Sequence, residues 1–177
     1  MVENRKASRV AVMGQTNNQV KRGAIVGLML LGVLAVGAVG AVYGLSYQTA
    51  RSLTIGNVTG RMSYRTGLLG HAEFDVSVSV SNAGVLDTTV NQVKFSLTID
   101  SLIPLSSVQA QSTTIVPGQS LQYTLSFTSY DQSALQYISQ GGSHQVTVSM
   151  TAWSSAGLYS GWVTVSSGSN WNWGTAS

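Results

Sequence analysis

Hydrophobic positions along this chain fall into two regimes. From Gly23 to Leu45 there are 23 residues without a charge, and Tyr43 is the only polar side chain among them. Beyond residue 52 the pattern changes to alternation with period two, which is the mark of half-buried strands. "LTIGNVT" (53–59) is a first short strand. "FDVSVSVSN" (74–82) alternates strictly, with Phe74, Val76, Val78 and Val80 on one face and Asp75, Ser77, Ser79 and Ser81 on the other. "VKFSLTI" (93–99) and "LQYTLSF" (121–127) repeat the pattern, the inward sets being Val93, Phe95, Leu97, Ile99 and Leu121, Tyr123, Leu125, Phe127. With the weaker "VQAQSTTI" (108–115), then "QVTVSMTAW" (145–153) and "YSGWVTVS" (159–166), the count is seven strands. Asn82-Ala83-Gly84, Pro117-Gly118, Gly141-Gly142 and Ala156-Gly157 fall between them, where turns need such residues. Pro117-Gly118 suits the centre of a type II turn and predicts a hairpin between 108–115 and 121–127. One segment, "DQSALQYIS" (131–139), has helical spacing of Ala134, Leu135 and Ile138 behind a cap-like Asp131. The fold class predicted is a seven-stranded antiparallel β-sandwich with one short helix across an end, preceded by a single transmembrane helix.

The apolar run decides where the rest of the chain works. At about 1.5 Å per residue it spans roughly 34 Å as a helix, matching the ~30 Å hydrocarbon core of a bilayer. A secretory leader has a shorter apolar stretch, of about 7–15 residues, and the small-x-small site at Ala35-Val36-Gly37 would be cut in the middle of the run. A retained anchor is therefore expected. The third fate is a filament helix: "KRGAIVG", a basic pair and glycine directly before the run, resembles the class III signal of archaeal type IV pilins and archaellins. That resemblance implies cleavage after Gly23, with Lys21 and Arg22 before the site and Ala24 as the new N-terminus. Within the run, Gly37, Gly40, Ala41 and Gly44 share about a third of the helix circumference. Such a small-residue stripe lets another helix approach closely, which makes it the candidate contact for a second copy or a partner helix.

Charge refines the picture. Only 8% of residues are charged, against roughly 25% in an average soluble protein. Residues 1–22 hold Arg5, Lys6, Arg9, Lys21 and Arg22 against Glu3, while residues 46–177 carry a net −1. The basic excess is thus topogenic. It predicts a cytoplasmic N-terminus and an extracytoplasmic C-terminal domain, and with no basic patch beyond the run it points away from nucleic acid. The expected organisation is a basic tail without regular structure (1–22), a membrane helix (23–46), a linker (47–51), the sandwich (52–166) and a Ser/Gly/Trp-rich tail (167–177). Cysteine is absent, which removes disulfides, thiolate metal sites and thiol catalysis.

Little in the sequence carries chemistry. The best metal candidate is His71-x-Glu73-x-Asp75, three donors on one side of a strand, but alternation with Phe74 and Val76 makes this an ordinary solvated face. No Gly-x-Ser-x-Gly elbow, P-loop or dinucleotide fingerprint occurs, so neither an enzyme nor a cofactor is expected. Asn57-Val58-Thr59 is the single Asn-x-Ser/Thr sequon, a candidate glycosylation site if the domain is outside. Trp171 and Trp173 lie beyond the last strand, where aromatics serve a membrane interface, bind carbohydrate or cover an edge; the last is expected, exposed tryptophan being costly.

The order of motifs in 52–166 resembles the LEA14 or WHy type of late-embryogenesis-abundant domain. The carrying stretches are "LTIGNVTG", "FDVSVSVSNAG", "VNQVKFSLTIDSLIPL" and "TTIVPGQSLQYTLSF" followed by the helix. The chain departs at Asn82-Ala83-Gly84, where the family has Asn-Pro-Asn. The resemblance implies a seven-stranded sandwich and a structural, protective or binding role in the cell envelope, with membrane lipid as the expected partner. The filament subunit is the alternative.

Overall fold

The computed structural model describes residues 4–65, 70–105 and 108–174. It divides the chain into two compact units, Met1–Val42 and Tyr43–Ser177. Helix α1 (Asn4–Arg51) accounts for the first unit and contributes its last turns to the second. The large apolar side chains from Ile25 to Val39 are all more than half exposed. A helix apolar on every side with nothing covering it suits lipid, and Gly23–Arg51 is long and apolar enough to cross a membrane.

Two expected boundaries shift. The helix begins at Asn4, so it takes in most of the segment expected to lack regular structure. No proline interrupts residues 4–22, and extending an existing helix gains a hydrogen bond for each residue fixed. The expected linker 47–51 is likewise helical, because Ser46, Thr49 and Ala50 are buried in the second unit. Ser52 closes the helix, its N–H donating to the Thr49 carbonyl at 3.0 Å and its hydroxyl to the Gln48 carbonyl at 2.6 Å.

The second unit, hereafter the head, is mainly β, with nine strands among the described residues. Sheet one runs β1 (Leu53–Arg65), β2 (His71–Asn82) and β7 (Ser120–Ser129) in the order β1-β2-β7. Sheet two has the order β4-β3-β8-β9, from β3 (Thr88–Ile99), β4 (Ile103–Pro104), β8 (Gly142–Ala156) and β9 (Tyr159–Trp173). The short β5 (Val108–Ala110) and β6 (Thr113–Ile115) also pair with β3. All pairings are antiparallel. The inner faces meet in one core. Phe74, Val76, Val78 and Val80 of β2 lie in it against Phe95, Leu97 and Ile99 of β3 and Val146, Val148 and Met150 of β8. Helix α2 (Gln132–Ser139) is capped by Asp131, whose carboxylate accepts the Ala134 N–H at 2.9 Å, and buries Ala134, Leu135 and Ile138.

Three features depart from the expected count and topology. The 108–115 strand is divided into β5 and β6, and β4 is added, so seven becomes nine. No hairpin follows. The Pro117-Gly118 turn does form, with Gly118 at φ +72° and the Gln119 N–H donating to the Val116 carbonyl at 3.0 Å. Yet β6 pairs with β3 and β7 with β2, so the turn carries the chain from one sheet to the other. Finally, the expected tail 167–177 is strand as far as Trp173, pairing down to Gly142 of β8, and its last three residues lie outside the described ones. Its Ser, Gly and Asn residues show no apolar period, but β8 offers an edge that long to pair with.

Candidate functional site

Helix α1 enters the head at one end, and the loops there are built around it. Asn82, fully buried at the end of β2, holds them together. Its amide nitrogen donates to the Leu86 carbonyl at 2.8 Å and the Ile115 carbonyl at 2.9 Å, while its Oδ1 accepts the Gly84 N–H at 2.9 Å. This is an Asx-type turn, the side chain of Asn82 taking the place of a backbone acceptor. A Cβ on Gly84 would lie 2.8 Å from the Thr49 Cα, so only glycine allows the loop to close on the helix. On the other side, the Leu158 N–H donates to the Ser46 hydroxyl at 3.1 Å, and the Ser154 hydroxyl to the Ala50 carbonyl at 2.9 Å.

The opposite end carries the cluster of titratable groups. Asp100 and Ser101 follow β3 with φ of 51° and 58°, a left-handed pair that turns the carboxylate back toward β8. Its Oδ1 accepts the Gln145 N–H at 2.7 Å, and its Oδ2 accepts from His144 Nδ1 at 2.7 Å and the Tyr137 hydroxyl at 2.8 Å. Burial pushes the Asp100 carboxyl up, but the hydrogen bonds from His144, the Gln145 N–H and Tyr137, with the His144 charge, outweigh it and hold it below its ordinary value. The Tyr137 hydroxyl is pushed up, by its bond to Asp100, by burial and by the carboxylate's charge. His144 Nε2 lies 3.0 Å from the Gly141 carbonyl, and its ring stacks on Trp173 with centroids 4.3 Å apart and planes 12° from parallel. The Trp173 indole N–H reaches the Ile138 carbonyl at 2.9 Å.

A carboxylate–histidine pair is the frame of a general base, which must turn its second nitrogen to a nucleophile or a water. Here that nitrogen is held by a backbone carbonyl. The arrangement can tie β3, α2, β8 and β9 together, and it acts as a clasp. Sequence reasoning missed it, since Asp100 and His144 are 44 positions apart. The only local sign was an Asp-Ser pair directly after a strand, residue types that tolerate or reach turns.

The predicted site residues are not brought together. His71, Glu73 and Asp75 lie on the outward face of β2 and contact different neighbours. The His71 ring is 5.4 Å from that of Tyr130, Glu73 accepts from the Ser126 hydroxyl at 3.0 Å, and Asp75 pairs with Arg61 at 3.1 Å. Among the described residues, no group of three His, Cys, Asp or Glu side chains converges on a metal-sized point. Asn57 is exposed in β1, where the register slips between Ile55 and Val58. Among the described residues, a Cβ on Gly37, Gly40 or Gly44 would meet nothing within 4 Å, and Ala41 is exposed, so the stripe is open. Gly23 and Ala24 are exposed within α1.

The four tryptophans divide into two pairs. Trp171 and Trp173 of β9 pack against the core, Trp173 with its ring centroid 5.9 Å from that of Phe74. A groove of about 460 Å³ runs between Val58–Met62 of β1 and Ser169–Trp173, where the sheets leave a seam. A Cβ on Gly60 would come within 2.6 Å of the Trp171 ring, which leaves that position to glycine. Trp153 and Trp162 instead form a cross-strand edge-to-face pair on the outer face of sheet two, 36% and 52% exposed. Beside them is a recess of about 440 Å³, lined by Gln92, Lys94, Gln109 and Thr151 among others.

No family model and no curated protein matches this chain. Solved structures with a similar course include a protein from Archaeoglobus fulgidus, at 12% identity over 70% of this chain and 100% of that one, with a TM-score of 0.43. The structural-genomics target SoR45 is similar at 12% identity over 69% and 87%, with a TM-score of 0.48. The putative ApaA protein from Bordetella pertussis is similar at 14% over 70% and 93%, with a TM-score of 0.39. None of these likenesses carries a function across.

Proposed function

We propose that this chain is a single-pass membrane protein that presents one non-catalytic, LEA14-like sandwich outside the cytoplasm. It serves there as a structural, protective or binding module of the cell envelope. The observation that carries the reading is the burial of Ser46, Thr49 and Ala50 in the head. The membrane-length helix runs unbroken into a fold that uses its last turns, as a retained anchor would and a discarded leader would not. The basic excess before the run supports a cytoplasmic N-terminus. In oriented vesicles, residues 46–177 should resist protease added on the cytoplasmic side. Neutralising Arg5, Lys6, Arg9, Lys21 and Arg22 together should scramble that protection; unchanged orientation would refute the charge argument.

A second reading, a filament subunit processed after Gly23, is favoured by the open Gly37, Gly40, Ala41 and Gly44 stripe on an uncovered apolar helix. The intact mass of membrane-extracted protein separates the two. A chain beginning at Ala24 supports the filament, and an unprocessed chain supports the anchor.

A further inference from the structure

We infer that the end of the head that receives helix α1 is seated in the lipid interface of the same membrane that the helix crosses. This rests on the anchor reading above. Three loops meet at that end, 83–87, 116–119 and 156–158, and each presents one large exposed apolar side chain: Val85 at 67%, Val116 at 43% and Leu158 at 60%. They come from three separate connections, so no single local pattern accounts for them. Asp87 is the only charged residue in the three loops.

Distance supplies the occupant. The apolar run ends at Leu45, with the polar Ser46, Gln48 and Thr49 directly after it, so the hydrocarbon boundary falls close to that residue whatever the tilt of the helix. Leu158 is bonded to Ser46 through its N–H, and Val85 to the Thr49 hydroxyl at 3.4 Å. The turn at 116–119 is held to the same loops by the bond from the Gly118 N–H to the Asn82 carbonyl at 2.8 Å. Four residues of helix beyond Leu45 rise only about 6 Å. The polar layer on each side of a bilayer is about 5–7 Å deep, taking ~30 Å of hydrocarbon from a total of ~40–45 Å. Loops fastened to Ser46 and Thr49 are therefore within the headgroup layer. The side chains agree, since Tyr43 and Tyr47 flank Leu45 and both meet the Tyr159 ring edge-on at 5.9 and 5.0 Å. Aromatic rings of this kind collect where hydrocarbon meets water. The occupant is thus the bilayer's own interface, and the surface it needs is apolar tips with few charges.

Because the chain has no cysteine, single probes report on each loop. Full-length Val85→Cys, Val116→Cys and Leu158→Cys, each carrying a polarity-sensitive fluorophore, would be reconstituted in phosphatidylcholine vesicles containing lipid with a shallow nitroxide. Leu102→Cys is the control, an apolar site at least as exposed (72%) after β3 at the other end of the head. The three loop probes should emit to the blue of the control and be quenched several-fold more strongly. Emission and quenching equal to the control at all three sites would overturn the inference, as would probes shielded from both the nitroxide and aqueous iodide, which would mean that protein covers this end. Alkaline extraction of the same vesicles separates the two readings. A retained protein with unquenched loops sinks this inference alone, whereas a released protein sinks the anchor with it.

Discussion

At the scale of single residues, two polar side chains do more than their positions in the chain announce. Asn82 sits fully buried at a strand end and satisfies three backbone groups, two in the 83–87 loop and one at the end of β6. Leaving such groups unpaired costs about 1–3 kcal/mol each, which explains why a polar residue is retained in that interior. Asp100 does the corresponding work at the opposite end. Its carboxyl is held below its ordinary value of 3.8, and the sign of the pH effect follows. A group with a depressed native pKa contributes stability that is present above the unfolded value and lost as pH falls through the native one. Thermal melts of the detergent-solubilised protein should therefore lose stability as pH drops below about 4, the reference for a free aspartate. Asp100→Asn should start lower at neutral pH and show a shallower loss across that window. A variant that matched the wild-type acid profile would exclude Asp100 as a source of it.

At the scale of elements, alternation located the strands and missed their ends. β3 begins at Thr88, five residues before the alternating stretch, because a bulge between Asn91 and Lys94 with Gln92 at φ 50° resets the period. Val90 and Val93, three apart, both face inward as a result. Past the bulge the register matches the pattern: Phe95 is 0% exposed against the Tyr123 ring at 5.0 Å, while Ser96 lies on the outer side. Phe95→Ala should cost about 3–5 kcal/mol in denaturant melts, since it opens a cavity between the sheets. Ser96→Ala should stay within about 0.5 kcal/mol. Comparable losses from the two would mean that the strand is paired one residue out of step.

At the scale of the molecule, the small-residue face of the apolar helix is the candidate contact for a second copy. The Gly37, Gly40, Ala41 and Gly44 stripe is left open by the described residues. If it is a contact face, Gly40→Ile should cut crosslinking of the detergent-solubilised protein by most of its yield, because close backbone approach needs the missing Cβ substituent. Gly32→Ile, roughly 80° away around the helix, should be tolerated. Equal crosslinking of wild type and Gly40→Ile would leave the anchor a monomeric tether, with any oligomer held by the head.

Composition and period alone determined the membrane-length helix, the β character of the head, the inward faces of β2, β3 and β7, and the capped helix at 132–139. Each of these rests on physics acting within a few residues: side-chain alternation, turn geometry, capping and the length of an apolar run. Tertiary structure decided the rest. It set the passage of the Pro117-Gly118 turn between sheets, the continuation of β9 to Trp173, the absorption of residues 47–51 into the helix, and the meeting of Asp100 with His144. Those outcomes depend on which edge remains unpaired and which surface remains uncovered once the sheets have packed. Neither is a property of any local stretch of chain.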